Sequence, residues 1–252
     1  MKIQYCSDLH LEFKENKKFL EHHPIQPSGE ILLLAGDITL FKQIEEQNDF
    51  FDFLSDHFEA VYWIPGNHEY YYWDLAGVQM PLFKKIRENV FLVNNQVVVY
   101  KEAELILSTL WSHIPPQREW IVQQNMSDFA LIKNNGLPFT ATDFNALHQS
   151  GLDFVRTALS IPSDRHRIVI THHVPTFMHY PEEYRNSPIN CGFATELYDF
   201  IEESQVTYWI YGHHHSNVPA FKIGNTSLVT NQLGYLLKKE NWLFSPAAVL
   251  EI

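Results

Sequence analysis

Five short apolar runs recur along the chain, and each breaks into a polar block at its carboxyl end. KIQYC leads into SDLH (Lys2–His10), ILLLA into GD (Ile31–Asp37), and AVYWIP into GNHE (Ala60–Glu69). RIVI leads into THHVP (Arg167–Pro175), and VTYWIY into GHHH (Val206–His215). A run such as ILLLA lacks the in–out alternation of a strand with one wet face, so it reads as a strand of a parallel sheet buried on both faces. Helical periodicity lies between the runs: Ile44, Phe51, Leu54 and Phe58 in one stretch, Leu82–Ile86 in a second, Phe144–Leu159 in a third. Strands alternating with helices predict an α/β fold, whose ligands bind beyond the carboxyl ends of the strands.

VFLVNNQVVVY, ELILSTLW and AFKIGNTSLVT, the last with a Gly224-Asn225 turn, add further strands. The expectation is a two-sheet β sandwich flanked by helices, in one domain over residues 1–252. Breakers PP, NNG and LP mark an excursion from that scaffold at about residues 115–142.

The polar blocks supply Asp, Asn and His and no Cys. Asp8 and His10 are two apart, and in an extended chain such residues project to one side, so a carboxylate and an imidazole can share a metal ion. His213 and His215 repeat the spacing, and His214 is expected to face away and tolerate substitution. Asp37 delivers a second carboxylate to the same edge. Asn67 offers a neutral carbonyl ligand, and the adjacent His68 points elsewhere, free for acid–base work. His172 and His173 close the fourth run. Donors of this kind suit hard-to-borderline divalent ions such as Mn²⁺, Fe or Zn²⁺. One catalytic zinc needs about three protein ligands; the larger set here implies two ions sharing a carboxylate.

The ordered blocks SDLH, AGD, PGNHE, THHVP and YGHHH resemble the signature of the calcineurin-like metallophosphoesterase superfamily, and STLW and NQLGY resemble segments of a group of bacterial members. The resemblance implies that Asp8, His10 and His215 bind one metal, that Asn67, His172 and His213 hold the other, and that Asp37 bridges them. His173 is the fallback for His172. It implies the four-layer two-sheet fold, and hydrolysis of a phosphoester bond by a metal-bridging hydroxide with His68 beside the leaving group. Protein phosphatases of the superfamily carry an Arg after the GD block, whereas this chain reads GDITLFK, which argues against a phosphoprotein substrate. A phosphodiesterase or phosphatase acting on a small molecule or nucleotide is expected; the alternative is a non-catalytic scaffold on the same fold.

With 18 Lys+Arg against 30 Asp+Glu, a net charge of −12, a broad nucleic-acid surface is excluded. No apolar stretch approaches the ~20 residues of a membrane span. Two cysteines without a CxxC pair and no leader pattern at the amino terminus predict reduced thiols and a cytoplasmic protein. Tyr70–Trp73 form either an aromatic wall for a nucleobase or packing against a helix. His113, Arg185 and Asn190 are loop residues without an assigned role.

Overall fold

The structure is a computed structural model that describes residues 1–78 and 81–252. Its strands are β1 (Lys2–Cys6), β2 (Ile31–Ala35), β3 (Ala60–Ile64), β4 (Leu82–Arg87), β5 (Val90–Asn94), β6 (Gln96–Tyr100) and β7 (Ala103–Leu107). They continue as β8 (Lys133–Asn134), β9 (Leu137–Pro138), β10 (His166–Ile170), β11 (Tyr208–Tyr211), β12 (Phe221–Ile223), β13 (Thr226–Thr230) and β14 (Val249–Glu251). One six-stranded sheet has the order β14-β1-β2-β3-β5-β4 and the other β12-β13-β11-β10-β7-β6. The four inner strands of each are parallel, and the outer strands are antiparallel.

The continuous apolar runs follow from this layering. Ile31, Leu33 and Ala35 face the second sheet, in a core that also holds Leu105, Ile168 and Ile210. Leu32 and Leu34 face outward, onto helices α1 (Lys14–His22) and α2 (Asn48–His57). In the 115–142 region the chain forms α3 (Glu119–Asn125), α4 (Asp128–Leu131) and the small β8–β9 ribbon. Helices α5 (Ala141–Ser160) and α6 (Tyr198–Glu203) then cover the outer face of the second sheet through Leu152, Val155 and Ile201. A capping box starts α5: Thr140 and Asp143 satisfy each other's backbone N–H groups. Helix, sheet, sheet and helix thus form the expected four layers. No helix among the described residues is long and apolar enough to cross a membrane, and Cys6 and Cys191 are both free.

The helical expectation at Leu82–Ile86 is wrong: these residues lie in β4, antiparallel to β5, with a bulge between Lys85 and Arg87. Five residues are too few to separate the two periods, and pairing with β5 decides. Leu82 and Ile86 join the core beneath α2, while Lys84 and Lys85 stay exposed and guard the sheet edge. VFLVNNQVVVY splits between the two sheets: β5 lies in the first, Asn95 turns the chain at φ 54°, and β6 forms an edge of the second. Gly224 and Asn225 do form the β12–β13 turn.

Parallel pairing within each sheet brings the carboxyl ends of β1, β2, β3, β10 and β11 to one edge of the sandwich. Cross-links hold that edge: Asp8 N–H donates to Gly36 O at 2.9 Å, Gly212 N–H to His172 O at 2.9 Å, and Ser7 N–H to Asn231 O at 3.0 Å. Truncating Leu33, fully buried between the sheets, should cost about 2–5 kcal/mol in the Leu33→Ala variant. Val99→Ala, on an exposed edge, should stay within about 0.5 kcal/mol. Equal shifts in urea midpoint for the two variants would contradict the inter-sheet packing.

Candidate metal centre

At this edge three groups of side chains each bring donor atoms within 4.8 Å of one another: Asp8, His10, Asp37 and His215; Asp37, His172 and His213; and His10, Glu12 and His68. Asp37 belongs to two of them. In the first, His10 Nε2 lies 3.0 Å from His215 Nε2, and His215 Nε2 lies 3.2 Å from Asp8 Oδ1. In the second, His172 Nε2 lies 3.1 Å from His213 Nδ1, 3.2 Å from Asn67 Oδ1 and 3.4 Å from Asp37 Oδ1. Of the paired histidines, His172 joins this group. His173 turns its ring toward Trp111 and Phe144.

The chain reaches this geometry by a different local path from the extended one its spacing suggests. Asp8, His10, Asp37, His213 and His215 all adopt left-handed backbone, with φ of 56°, 48°, 55°, 78° and 50°. Such conformations cost non-glycine residues on the order of 1–3 kcal/mol each and persist only where surrounding bonds hold them. Here His10 N–H donates to Asp37 O (2.9 Å), His213 N–H to Asp8 Oδ1 (3.0 Å), and His215 N–H to Gln232 Oε1 (2.7 Å). Gly36 and Gly66 permit the close approach of the blocks: a Cβ on Gly66 would sit 2.1 Å from Asp37 Oδ1, and one on Gly36 2.4 Å from His172 Nδ1.

The hydrogen bonds fix where the lone pairs point. A carboxylate or carbonyl oxygen can only accept, so His10 donates its Nδ1–H to Glu12 (3.0 Å), His215 to Glu240 (2.7 Å) and His172 to Ala35 O (2.9 Å). Each of these imidazoles when neutral then aims a bare Nε2 lone pair at other acceptor atoms. Such an arrangement requires a cation, and anchored Nδ1–H groups are the usual support of metal-binding imidazoles. The donor set and its geometry therefore fit metal ions. Without one, a proton takes the place. Burial disfavours charge on His172 and His215, yet Asp37 beside the first and Asp8 with Glu240 beside the second raise both to about 9. Burial and the neighbouring histidines push His213 well below its ordinary value, leaving it neutral, and its Nε2 is buried without a hydrogen-bond partner. Burial would also raise the Asp37 carboxyl, but His172 and His68 hold it well below the carboxylate range.

His68 stands beside the donor groups. Its backbone N–H donates to Asp37 Oδ1 (2.9 Å), its Nδ1–H to Glu12 Oε1 (2.9 Å), and Tyr235 Oη lies 3.1 Å from its Nε2. His214 belongs to none of these donor groups, in keeping with a residue that faces away from them, but it is buried. It is 9% exposed, lies between Tyr180 and Tyr211, and its Nδ1 is 2.9 Å from Gln232 Nε2. Tyr70 and Tyr71 are buried, whereas Tyr72 is exposed; Tyr71 and Tyr72 border the cavity, so the stretch divides between packing and wall. His113 is held through its backbone by Thr195, Arg185 is exposed and pairs with Glu182, and Asn190 borders the cavity.

That cavity, about 800 Å³, opens over the donor cluster. Phe13, Tyr71, Tyr72, Leu131, Tyr180 and Tyr184 contribute to its walls, and among the described residues Lys238 is its only Lys or Arg. The 115–142 region reaches it directly: Asn67 Nδ2–H donates to Tyr71 Oη at 3.1 Å, and Tyr71 O–H to Asp128 Oδ2 at 3.3 Å.

Sequence reasoning missed Glu12, Glu69, Asp128, Tyr235 and Glu240. Two carried a signal: Glu12 extends the every-second-residue spacing of Asp8 and His10, and Glu69 completes GNHE. Glu69 is fully buried and accepts from the N–H groups of Asp37, Ile38 and Gly66 and from Trp63 Nε1–H, tying the second block to the third.

A sequence profile described as calcineurin-like phosphoesterase matches residues 1–217, and the chain belongs to that family. It is 30% identical, over 99% of its own length and 96% of the relative's, to an uncharacterized protein, L509, of Acanthamoeba polyphaga mimivirus. The fold superimposes on a phosphopantetheinyl hydrolase from Mycobacterium tuberculosis with a TM-score of 0.72 at 18% identity, over 100% of this chain and 95% of the other.

Because a Cβ at Gly66 would strike the Asp37 carboxylate, Gly66→Ala should lower the metal bound per chain while far-UV circular dichroism stays unchanged. Full metal content in that variant would show that the close approach is not needed.

Proposed function

We propose that the chain is a phosphoester hydrolase that works with two divalent ions, Mn²⁺, Fe or Zn²⁺, on a small-molecule or nucleotide substrate, as one domain over residues 1–252. The observation that carries this reading is the convergence of buried Asp, Asn and His donors, among which His10, His172 and His215 have their Nδ1–H groups already committed elsewhere. Asp8, His10 and His215 hold one ion; Asn67, His172 and His213 hold the other; Asp37 serves both. Ions bound there supply Lewis acidity toward the phosphoryl oxygens and acidify bound water.

The protein's own contribution is placement and proton handling. His68, at the mouth of the cluster with Nδ1 anchored on Glu12, presents Nε2 to the cavity, where it donates a proton to the departing oxygen, a role worth about 10²–10⁴ in rate. The aromatic and apolar walls favour a substrate limb that is flat or apolar. Phosphate groups are bound strongly by charge-assisted hydrogen bonds from cationic side chains, and a cavity with Lys238 as its only Lys or Arg among the described residues points to an ester carrying a single phosphate group. The complete donor set and the presence of His68 support an enzyme over a non-catalytic scaffold.

Metal analysis followed by turnover of bis-p-nitrophenyl phosphate, p-nitrophenyl phosphate and cyclic nucleotides with added Mn²⁺ tests the reading. Activity that EDTA abolishes and Mn²⁺ restores is expected, and no turnover of any of them by metal-loaded protein would sink it. In His68→Asn, metal content should persist while kcat falls at least tenfold; an unchanged kcat would remove His68 from the chemistry.

A further inference from the structure

Glu12 follows the SDLH block and is almost fully enclosed, with its side chain 7% exposed. We infer that Glu12 is a positioning residue that locks a candidate metal ligand, His10, and the candidate acid, His68, into one orientation through a single carboxylate oxygen. This rests on the reading of the centre given above. Oε1 accepts both Nδ1–H groups, from His10 at 3.0 Å and from His68 at 2.9 Å, and the two rings meet edge to face with centroids 4.5 Å apart. Oε2 is buried and has no hydrogen-bond partner, so the histidine bonds are the side chain's whole polar engagement. Phe13 closes the other side, its ring tilted against His10 and edge-on to His68 and Tyr235.

One acceptor holding two donors has a chemical consequence. It fixes the tautomer of both neutral imidazoles, so that both Nε2 atoms face inward, one to the donor cluster and one to the cavity. The proton that His68 gains or loses is therefore at Nε2. It also makes the ring of His10 and that of His68 move together, so that the placement of the candidate acid is tied to the placement of a candidate ligand. An aspartate would be one methylene too short to reach both rings, whereas a glutamine keeps the reach and an accepting oxygen without the charge.

Three variants separate reach from charge. Proton NMR of the imidazole N–H region of the wild type should show two hydrogen-bonded Nδ1–H resonances that both disappear in Glu12→Ala, survive in Glu12→Gln, and do not both survive in Glu12→Asp. Mn²⁺ affinity should fall about 10–100-fold in Glu12→Ala. At saturating Mn²⁺, kcat should fall with KM little changed. Gln should restore most of both losses and Asp should not. Adding Glu12→Ala to His68→Asn should lower kcat no further once Mn²⁺ saturates. Rescue by Asp and not by Gln, additive losses in the double variant, or both Nδ1–H resonances persisting in Glu12→Ala would overturn the assignment. Failure of the wild type to turn over any phosphoester with metals bound would sink the hydrolase reading instead, and leaves the Glu12 question answerable from the resonances and the Mn²⁺ affinities.

Discussion

Two carboxylates, Asp8 and Asp37, are 0% and 1% exposed at the rim of two packed sheets. An ionised carboxylate withdrawn from water costs several kcal/mol unless positive charge and hydrogen bonds compensate it. The surroundings of both are arranged around that cost. Asp8 accepts from the His213 N–H and from Ser7 Oγ, and Asp37 accepts the His68 N–H. Histidines crowd the remaining faces, and an imidazole is the side chain that can either carry a proton or give up a lone pair at neutral pH.

The architecture supplies this cluster from strands that are distant in sequence, and a ring of outer groups keeps it aimed. Glu12, Glu240 and the Ala35 carbonyl each anchor one Nδ1–H. Gln232 and Asn231 join the last polar block to the first strand: Gln232 accepts the His215 N–H, and Asn231 donates to Tyr5 O. On the opposite side the Asn67, Tyr71 and Asp128 hydrogen bonds connect the centre to the 115–142 region. That region packs through Val122, Phe129 and Phe139 into an apolar core shared with Leu40, Tyr70, Tyr71, Trp111 and Phe144.

The strand runs and their terminal blocks were legible in the sequence because burial on both faces leaves uninterrupted apolar runs, and because Asp, Asn and His are unusual endings for them. Leu82–Ile86 was misread because an edge strand with Lys84 and Lys85 outward satisfies a helical spacing over so few residues. The supporting carboxylates were harder to see. Glu12, Glu240 and Asp128 are common residues whose burial depends on contacts across the fold, and Glu240 sits in a 3₁₀ turn after the last histidine block. The left-handed backbone at five polar positions left only a faint trace in residue type: Asp and His are enriched among the non-glycine residues that adopt positive φ, but both are far commoner elsewhere. His214 looked spare because alternation assigns it the far side, but that side is filled by Tyr180 and Tyr211.

The pairing of β1 with β14 bears on how such a chain folds as it is made. The first sheet places Lys2–Cys6 beside both Ile31–Ala35 and Val249–Glu251. This strand thus has one hydrogen-bonding edge filled early, while the other waits for Val249–Glu251 to emerge. Contacts of such sequence separation are slow to form and leave strand edges open to wrong partners in the interval. Asp8 lies just beyond that strand, and its partners His213 and His215 also come late. A nascent chain carries Asp8, His10 and Asp37 long before His213 and His215, so the donor cluster cannot close until both sheets have their central strands.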